Sequence, residues 1–455
     1  MEMILEFLRD VLSQPALLIG IMSCVGLIAL KRPFHKIMTG TLKPILGYLM
    51  LAAGAGVIVS NLDPLGKMIE HGFHITGVVP NNEAIVAVAQ KVLGVETMSI
   101  LVVGLLMNLL IARFTKFKYV FLTGHHSLFM ACLMSAVLGT AGLSGIELIL
   151  VGGFLMGAWS AISPAIGQSY TSKVTDGDEI ALGHFGSLGY YLSAWVAKYV
   201  GKAEESTEDI EIPEKWGLLS DSTLYTALTM IVFYLIAAIA AGSEFVATLS
   251  GSMSPYLFAV MSAMNFAVGV AIVYSGVRMI LGDLIPAFQG IATKIIPNAI
   301  PAVDCAVFFT YAPTAVVLGF ISSFIGGIIG MLILGAVGGV LIIPGLVPHF
   351  FCGATAGIYG NATGGRRGAA VGAFLNGLAI TFLPALALPV LGQLGFQNTT
   401  FGDADFAVMG LVLGNAFEWI GMAGIYGVVV IAALVLIIPN FIKTKGKVIN
   451  YVEEE

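Results

Sequence analysis

The chain has 455 residues, 58% of them hydrophobic and 11% charged, against about 25% charged in an ordinary soluble domain. That balance excludes a water-soluble multidomain enzyme, and it excludes intrinsic disorder, which needs low hydrophobicity and high charge. A net charge of −6 leaves no basic footprint for nucleic acid.

A polytopic membrane protein remains. Apolar runs of about 20 residues without strand-like alternation indicate helices instead of an outer-membrane barrel. The first residues, MEMILEFLRDVLSQ, lack a basic n-region and a small-residue cleavage site, so they do not read as a cleaved signal peptide. Eleven spans are predicted, at 15–30, 42–62, 97–114, 119–142, 145–168, 223–241, 255–281, 314–335, 339–359, 368–391 and 407–441. Residues 77–94, broken by Pro80-Asn81-Asn82, are too polar at their start to cross exposed to lipid. Residues 169–220 are the least hydrophobic region and contain an acidic, solvated loop at 201–217. Residues 282–296 read as amphipathic and interfacial.

The basic clusters KRPFHK, RFTKFK, Arg278 and Arg366-Arg367 fall on the same side as the tail KTKGK. The positive-inside rule makes that side cytoplasmic and puts the N-terminus outside. The two halves share a plan, with a first repeat at 1–220 and a second at 221–455 that also carries the final span and tail. Each half holds segments interrupted by proline or polar residues, at 78–84 and 182–189, then at 300–313 and 358–367. Paired interruptions of this kind mark transporter binding sites. The fold class expected is therefore an all-α membrane protein with re-entrant or broken segments.

Ionisable residues inside apolar segments are costly, so each is a functional candidate. Asp304, in PAVDCAVFF, has no basic neighbour in sequence. Its carboxylate accepts hydrogen bonds from a ligand or caps a half-helix. His125 and His184 each follow a glycine beside an apolar run, and glycine permits close approach of a ligand or backbone. His126, about 100° further round a helix, reads as structural. His35, His71, His74 and His349 sit near span ends, where interfacial solvation explains them. The three central histidines and Asp304 have metal-ligand chemistry but no HExxH or compact spacing, so neither metal nor cofactor is assigned. The four cysteines lie in apolar surroundings without ligand spacing. GxxxxGK[ST] is absent, which excludes an ATP-driven pump within this chain.

At these residues a resemblance emerges. LTGHH, KVTDGDEIALGH, KAEESTEDIEIP, GVRMILGDLIPAFQGIATKIIPNAIPAVDCAVFFTYAP and IIPGLVPHFF resemble the membrane component, enzyme IIC, of the ascorbate-specific phosphotransferase system, in the ascorbate–galactitol superfamily. The likeness spans essentially the whole chain and is most specific from Gly276 to Pro313. It implies eleven transmembrane segments arranged as a V-motif dimerisation domain and a core transport domain. It also implies a homodimer in the bacterial inner membrane, with the core moving as an elevator. The substrate would be phosphorylated during uptake by a phosphocysteine on a separate enzyme IIB, supplied through enzyme IIA, HPr and enzyme I. The family's ligand residues fall on His125, His184 and Asp304, with Asp304 as general base.

The match departs at the flanking positions. Relatives carry glutamine where this chain has Phe129 and Phe185, and a Thr-Tyr pair where it has Asn82-Glu83. These four residues complete the expected substrate set. Two phenyl rings in place of two amides remove hydrogen bonds, and Glu83 adds a carboxylate unfavourable to an ascorbate anion. The rival reading on the same fold is an H⁺- or Na⁺-coupled carrier of unmodified substrate, with Asp304 and Glu83 as coupling residues.

Overall fold

The computed structural model describes residues 10–11, 14–74, 77–78, 80, 82–177, 179–210, 222–392 and 400–441. The helices are α1 (Pro15–Ala29), α2 (Phe34–Phe73), α3 (Asn82–Phe114), α4 (Gly124–Thr140), α5 (Gly145–Thr175) and α6 (Ser187–Val200), then α7 (Ser222–Ala241), α8 (Ser243–Ser250), α9 (Pro255–Lys294), α10 (Pro313–Ala336), α11 (Leu346–Gly392), α12 (Ala404–Ile420) and α13 (Met422–Phe441). Among the described residues, seven helices are long and apolar enough to cross a membrane, and α7 with α8 forms a pair bent by 117°. Apolar side chains such as Ile239, Leu332, Ile431 and Ile437 stay exposed on the outer faces. This is an all-α membrane protein.

α2 and α9 are each 40 residues long, about 60 Å, or twice a hydrocarbon core of roughly 30 Å. They pack antiparallel through glycines. A Cβ on Gly47 would meet the Gly276 carbonyl oxygen at 2.8 Å, and one on Gly54 would meet that of Gly269 at 2.7 Å. Lipid tails are as apolar as leucine, so close backbone approach, not burial from water, drives such pairing. α9 runs on through 282–294, so the expected interfacial segment is a continuation of a long helix.

Several predicted spans resolve differently. Residues 119–142 are a three-residue strand, a turn and the 17-residue α4, and a helix of about 26 Å falls short of a full crossing. The predicted span 339–359 starts in non-helical backbone at 339–345; the rest of it and the span 368–391 fall on the two halves of α11, broken at Gly364-Gly365, where Gly365 takes φ 60°. The span predicted at 407–441 divides at Gly421, φ 61°, into α12 and α13. All four expected interruptions contain non-helical backbone. Val78 bridges to Ile342, residues 181–182 and 300–303 are strands, and Gly364-Gly365 interrupts α11.

The acidic loop is more than a solvated connection. The Glu205 carbonyl accepts the Arg366 N–H (2.8 Å) just past the α11 break. Asn361 Oδ1 accepts the Thr207 N–H (2.9 Å). The Glu208 carboxylate accepts the N–H groups of Thr314 and Ala315 (both 3.1 Å) at the start of α10. Residues 211–217 of that loop lie outside the described residues.

Candidate substrate site

Three short strands organise the site. β1 (Tyr119–Phe121), β2 (Ala181–Leu182) and β3 (Ile300–Val303) form a parallel sheet in the order β1-β3-β2. Tyr119 stands opposite Ile300, and Leu182 opposite Val303. The ladder continues past the strand ends, with Leu122 N–H donating to the Ala302 carbonyl (2.9 Å) and Gly183 N–H to that of Val303 (2.7 Å). Gly183 is required here, since a Cβ would overlap the Ala302 carbonyl. All three strands point the same way, so the chain leaves their carboxyl ends at Thr123-Gly124-His125, Gly183-His184 and Asp304. Segments scattered over nearly 200 positions thus deliver their polar side chains to one place, as parallel strands do for ligands outside their carboxyl ends.

Asp304 occupies the N-cap position of the 3-10 turn Cys305–Thr310, yet its carboxylate makes no capping bond. It faces Tyr48, whose hydroxyl donates to Oδ2 (3.4 Å), and His125, whose Nε2 lies 3.5 Å from the same oxygen. Of the two roles open to this residue, the cap is not made, and the carboxylate accepts from Tyr48. The His125 side chain is 37% exposed, while that of Asp304 is 8% exposed, so His125 is the open edge of the pair.

His184 and His126 stand behind, with ring centroids 3.8 Å apart. His184 Nδ1 accepts the Gly186 N–H (3.1 Å), and His126 Nδ1 accepts the Phe185 N–H (3.3 Å). A backbone N–H can only donate, so each neutral ring carries its proton on Nε2. Tyr190 Oη lies 2.9 Å from His184 Nδ1 and holds that edge of the ring. His126, read from sequence as structural, is 3% exposed and stacks on Phe406 at 5.6 Å.

The flanking candidates divide. Phe129 sets its ring against His125 and His126, both at 5.8 Å. Phe185 is fully buried and stacks on Phe121 at 4.6 Å, on the apolar side of the site. Asn82 Nδ2 donates to Asp403 Oδ2 (2.6 Å), and its Oδ1 accepts the Gly402 N–H (2.9 Å). The Glu83 side chain lies outside the described residues.

Sequence reasoning missed Tyr48, Tyr190, Cys352 and the pair Asp403 and Asp405. Asp403 Oδ1 accepts from the Cys352 thiol (3.0 Å) and lies 3.8 Å from His184 Nδ1. Asp405 is fully buried and accepts from Ser187 Oγ (2.7 Å), Leu188 N–H (2.9 Å) and Trp159 Nε1 (3.1 Å). Its own N–H donates to the Phe185 carbonyl (2.9 Å), so the start of α12 straps the His184 turn in place. Both acids lie in GDADF beside an apolar helix, the same signal that singled out Asp304. Two triads have metal-ligand chemistry, His126–His184–Asp403 and His184–Asp304–Cys305, each with ligand atoms within 4.8 Å of one another.

The sequence model of the PTS system sugar-specific permease component family matches residues 10–405. The chain belongs to this permease family. The permease is also 27% identical over 417 residues to a protein of Mycoplasma pneumoniae named the ascorbate-specific PTS system EIIC component. That match covers 78% of this chain and 62% of the relative. The permease therefore spans under two thirds of the length of the curated relative it matches. The paired interruptions and the convergence of His125, His184 and Asp304 sit within the matched residues, while α13 lies beyond them.

Proposed function

We propose that this permease carries L-ascorbate or a related small hydroxylated compound across the bacterial cell membrane, with phosphorylation of the substrate by phospho-enzyme IIB. The observation that carries the reading is the meeting of His125, His184 and Asp304 at the carboxyl ends of three parallel strands. A carboxylate that does not cap its own helix is free to accept a substrate hydroxyl. Nε2–H of a neutral imidazole donates to the next oxygen, and the Phe129 ring covers an apolar face.

In the transfer step a substrate hydroxyl oxygen attacks phosphorus of the IIB S-phosphocysteine. A P–O bond forms, the P–S bond breaks, the thiolate leaves, and the hydroxyl proton passes to Asp304. Alignment and charge placement dominate such a reaction, so the permease needs no nucleophile of its own. Phosphoryl groups reach it through enzyme IIA, HPr and enzyme I.

The antiparallel α2–α9 pair supports an orientation with the 31–36 cluster cytoplasmic. Lys31, Arg32 and Lys36 near the start of α2 share one end of the pair with Lys294 at the end of α9, and Lys43 pairs with Asp283 at 3.5 Å. That end is the cytoplasmic one by the positive-inside rule. The pair also suits the scaffold of a homodimer, against which the three-strand core moves.

Reconstitution tests the reading. Proteoliposomes containing the permease receive labelled ascorbate and a panel of pentitols and hexitols, with and without phospho-IIB. A phosphorylated internal product that requires phospho-IIB is the expected result. Unmodified substrate accumulating with an ion gradient, indifferent to phospho-IIB, would make the chain an ion-coupled carrier instead.

A further inference from the structure

Asp403 forms a second acidic side to this site. Like Asp304 it stands at the N-cap position of a helix, and like Asp304 its carboxylate makes no capping bond. Its oxygens accept from Cys352 and Asn82 instead, and Oδ1 lies 3.8 Å from His184 Nδ1. His184 thus has a ligand atom within 4.8 Å of an oxygen of each aspartate. The exposures of the two carboxylate side chains match, at 8% for Asp304 and 7% for Asp403.

No lysine or arginine among the described residues pairs with either acid. Asp403 has an amide and a thiol as partners, from Asn82 and Cys352, and both are uncharged donors. Even with His125 protonated against Asp304, Asp403 has no compensating cation. His126 and His184 accept backbone N–H groups and contribute neutral Nε2–H donors. Thr123, 1% exposed at the carboxyl end of β1, has a buried hydroxyl with no hydrogen-bond partner among the described residues.

This inventory discriminates between ligands by chemistry. A carboxylate only accepts hydrogen bonds, and so does an enolate or carboxylate oxygen on a ligand. Facing each other they repel and leave both without a donor. A hydroxyl does both tasks, donating to Asp304 or Asp403 and accepting from Nε2–H or Thr123. Resting on the permease reading above, we propose that Asp403 is a specificity residue of the substrate site, and that the site takes an uncharged polyhydroxylated substrate in preference to an anion.

Equilibrium binding to the purified full-length chain at pH 7.5, without phospho-IIB, tests this. The probes are L-ascorbate, the uncharged L-galactono-1,4-lactone of similar shape, and a set of pentitols and hexitols. At least one uncharged probe should bind about tenfold or more tightly than ascorbate, the order expected from one unscreened like charge nearby. Asp403→Asn should shrink that ratio by about tenfold, chiefly by improving ascorbate, while Asp403→Glu keeps the wild-type preference. Ascorbate binding as tightly as every uncharged probe, no uncharged probe binding, or an unchanged ratio in a folded Asp403→Asn variant would each overturn the proposal. The wild-type ratio decides even where a variant fails to fold. Since no phosphoryl donor is present, failure of the phosphotransfer reading would leave this result standing, and the converse holds.

Discussion

The hydroxyl of Tyr48 donates to the carboxylate of Asp304 across 256 positions of sequence, Oη to Oδ2 3.4 Å. Tyr48 belongs to α2, which packs on α9 through glycines, and Asp304 ends the central strand of the sheet. This contact ties the long-helix pair to the candidate site. Any movement of the site along α2 must break it.

Asp304→Asn keeps the shape and removes the carboxylate proposed above to take the hydroxyl proton. Loss of a positioned acid or base lowers rate by about 10²–10⁴. Uptake of labelled substrate should fall at least a hundredfold at normal expression. Wild-type uptake would remove Asp304 from the mechanism.

Tyr48→Phe deletes a long hydrogen bond to a buried carboxylate. A loss of about 1 kcal/mol, or roughly fivefold, is expected. It should appear as a raised KM for uptake, with expression unchanged and Tm lowered by no more than about 1 °C. A hydroxyl without influence would leave KM as it was.

Glu208→Ala uncaps α10, leaving the Thr314 and Ala315 N–H groups without their carboxylate. Removal of a cap at a helix N-terminus costs about 1 kcal/mol, or about 1 °C in Tm for a chain of 455 residues. Differential scanning fluorimetry in detergent checks this, and substrate binding should persist.

Gly276→Leu places a side chain against the Gly47 carbonyl. It should split the α2–α9 pair and yield polydisperse protein on size exclusion. Gly56→Leu, on the same α2 but with nothing within 4 Å of a Cβ, should behave as wild type.

The core of the site was legible because a membrane makes every buried charge conspicuous. Asp304, His125 and His184 stand out in apolar text, and the same rule, applied further along, would have reached Asp403 and Asp405. The strands were not legible. Tyr119–Phe121 is three residues inside an apolar run, and periodicity cannot separate so short a strand from a buried helix. The break at Gly421 hid for a similar reason, since α12 and α13 are apolar on both sides of it. Docking of residues 205–208 was hidden because its bonds mostly use backbone groups, which composition does not report. Asn82 was found as a site residue, but its partner lies 321 positions away, a relationship only the fold supplies.

The central claim is that the carboxyl ends of β1, β2 and β3 hold the substrate. Cryo-electron microscopy of the permease with its tightest-binding probe tests it most directly. The account predicts ligand density within hydrogen-bond reach of Asp304, with His125 and His184 as neighbours. Density elsewhere, with these side chains still facing one another, would contradict it.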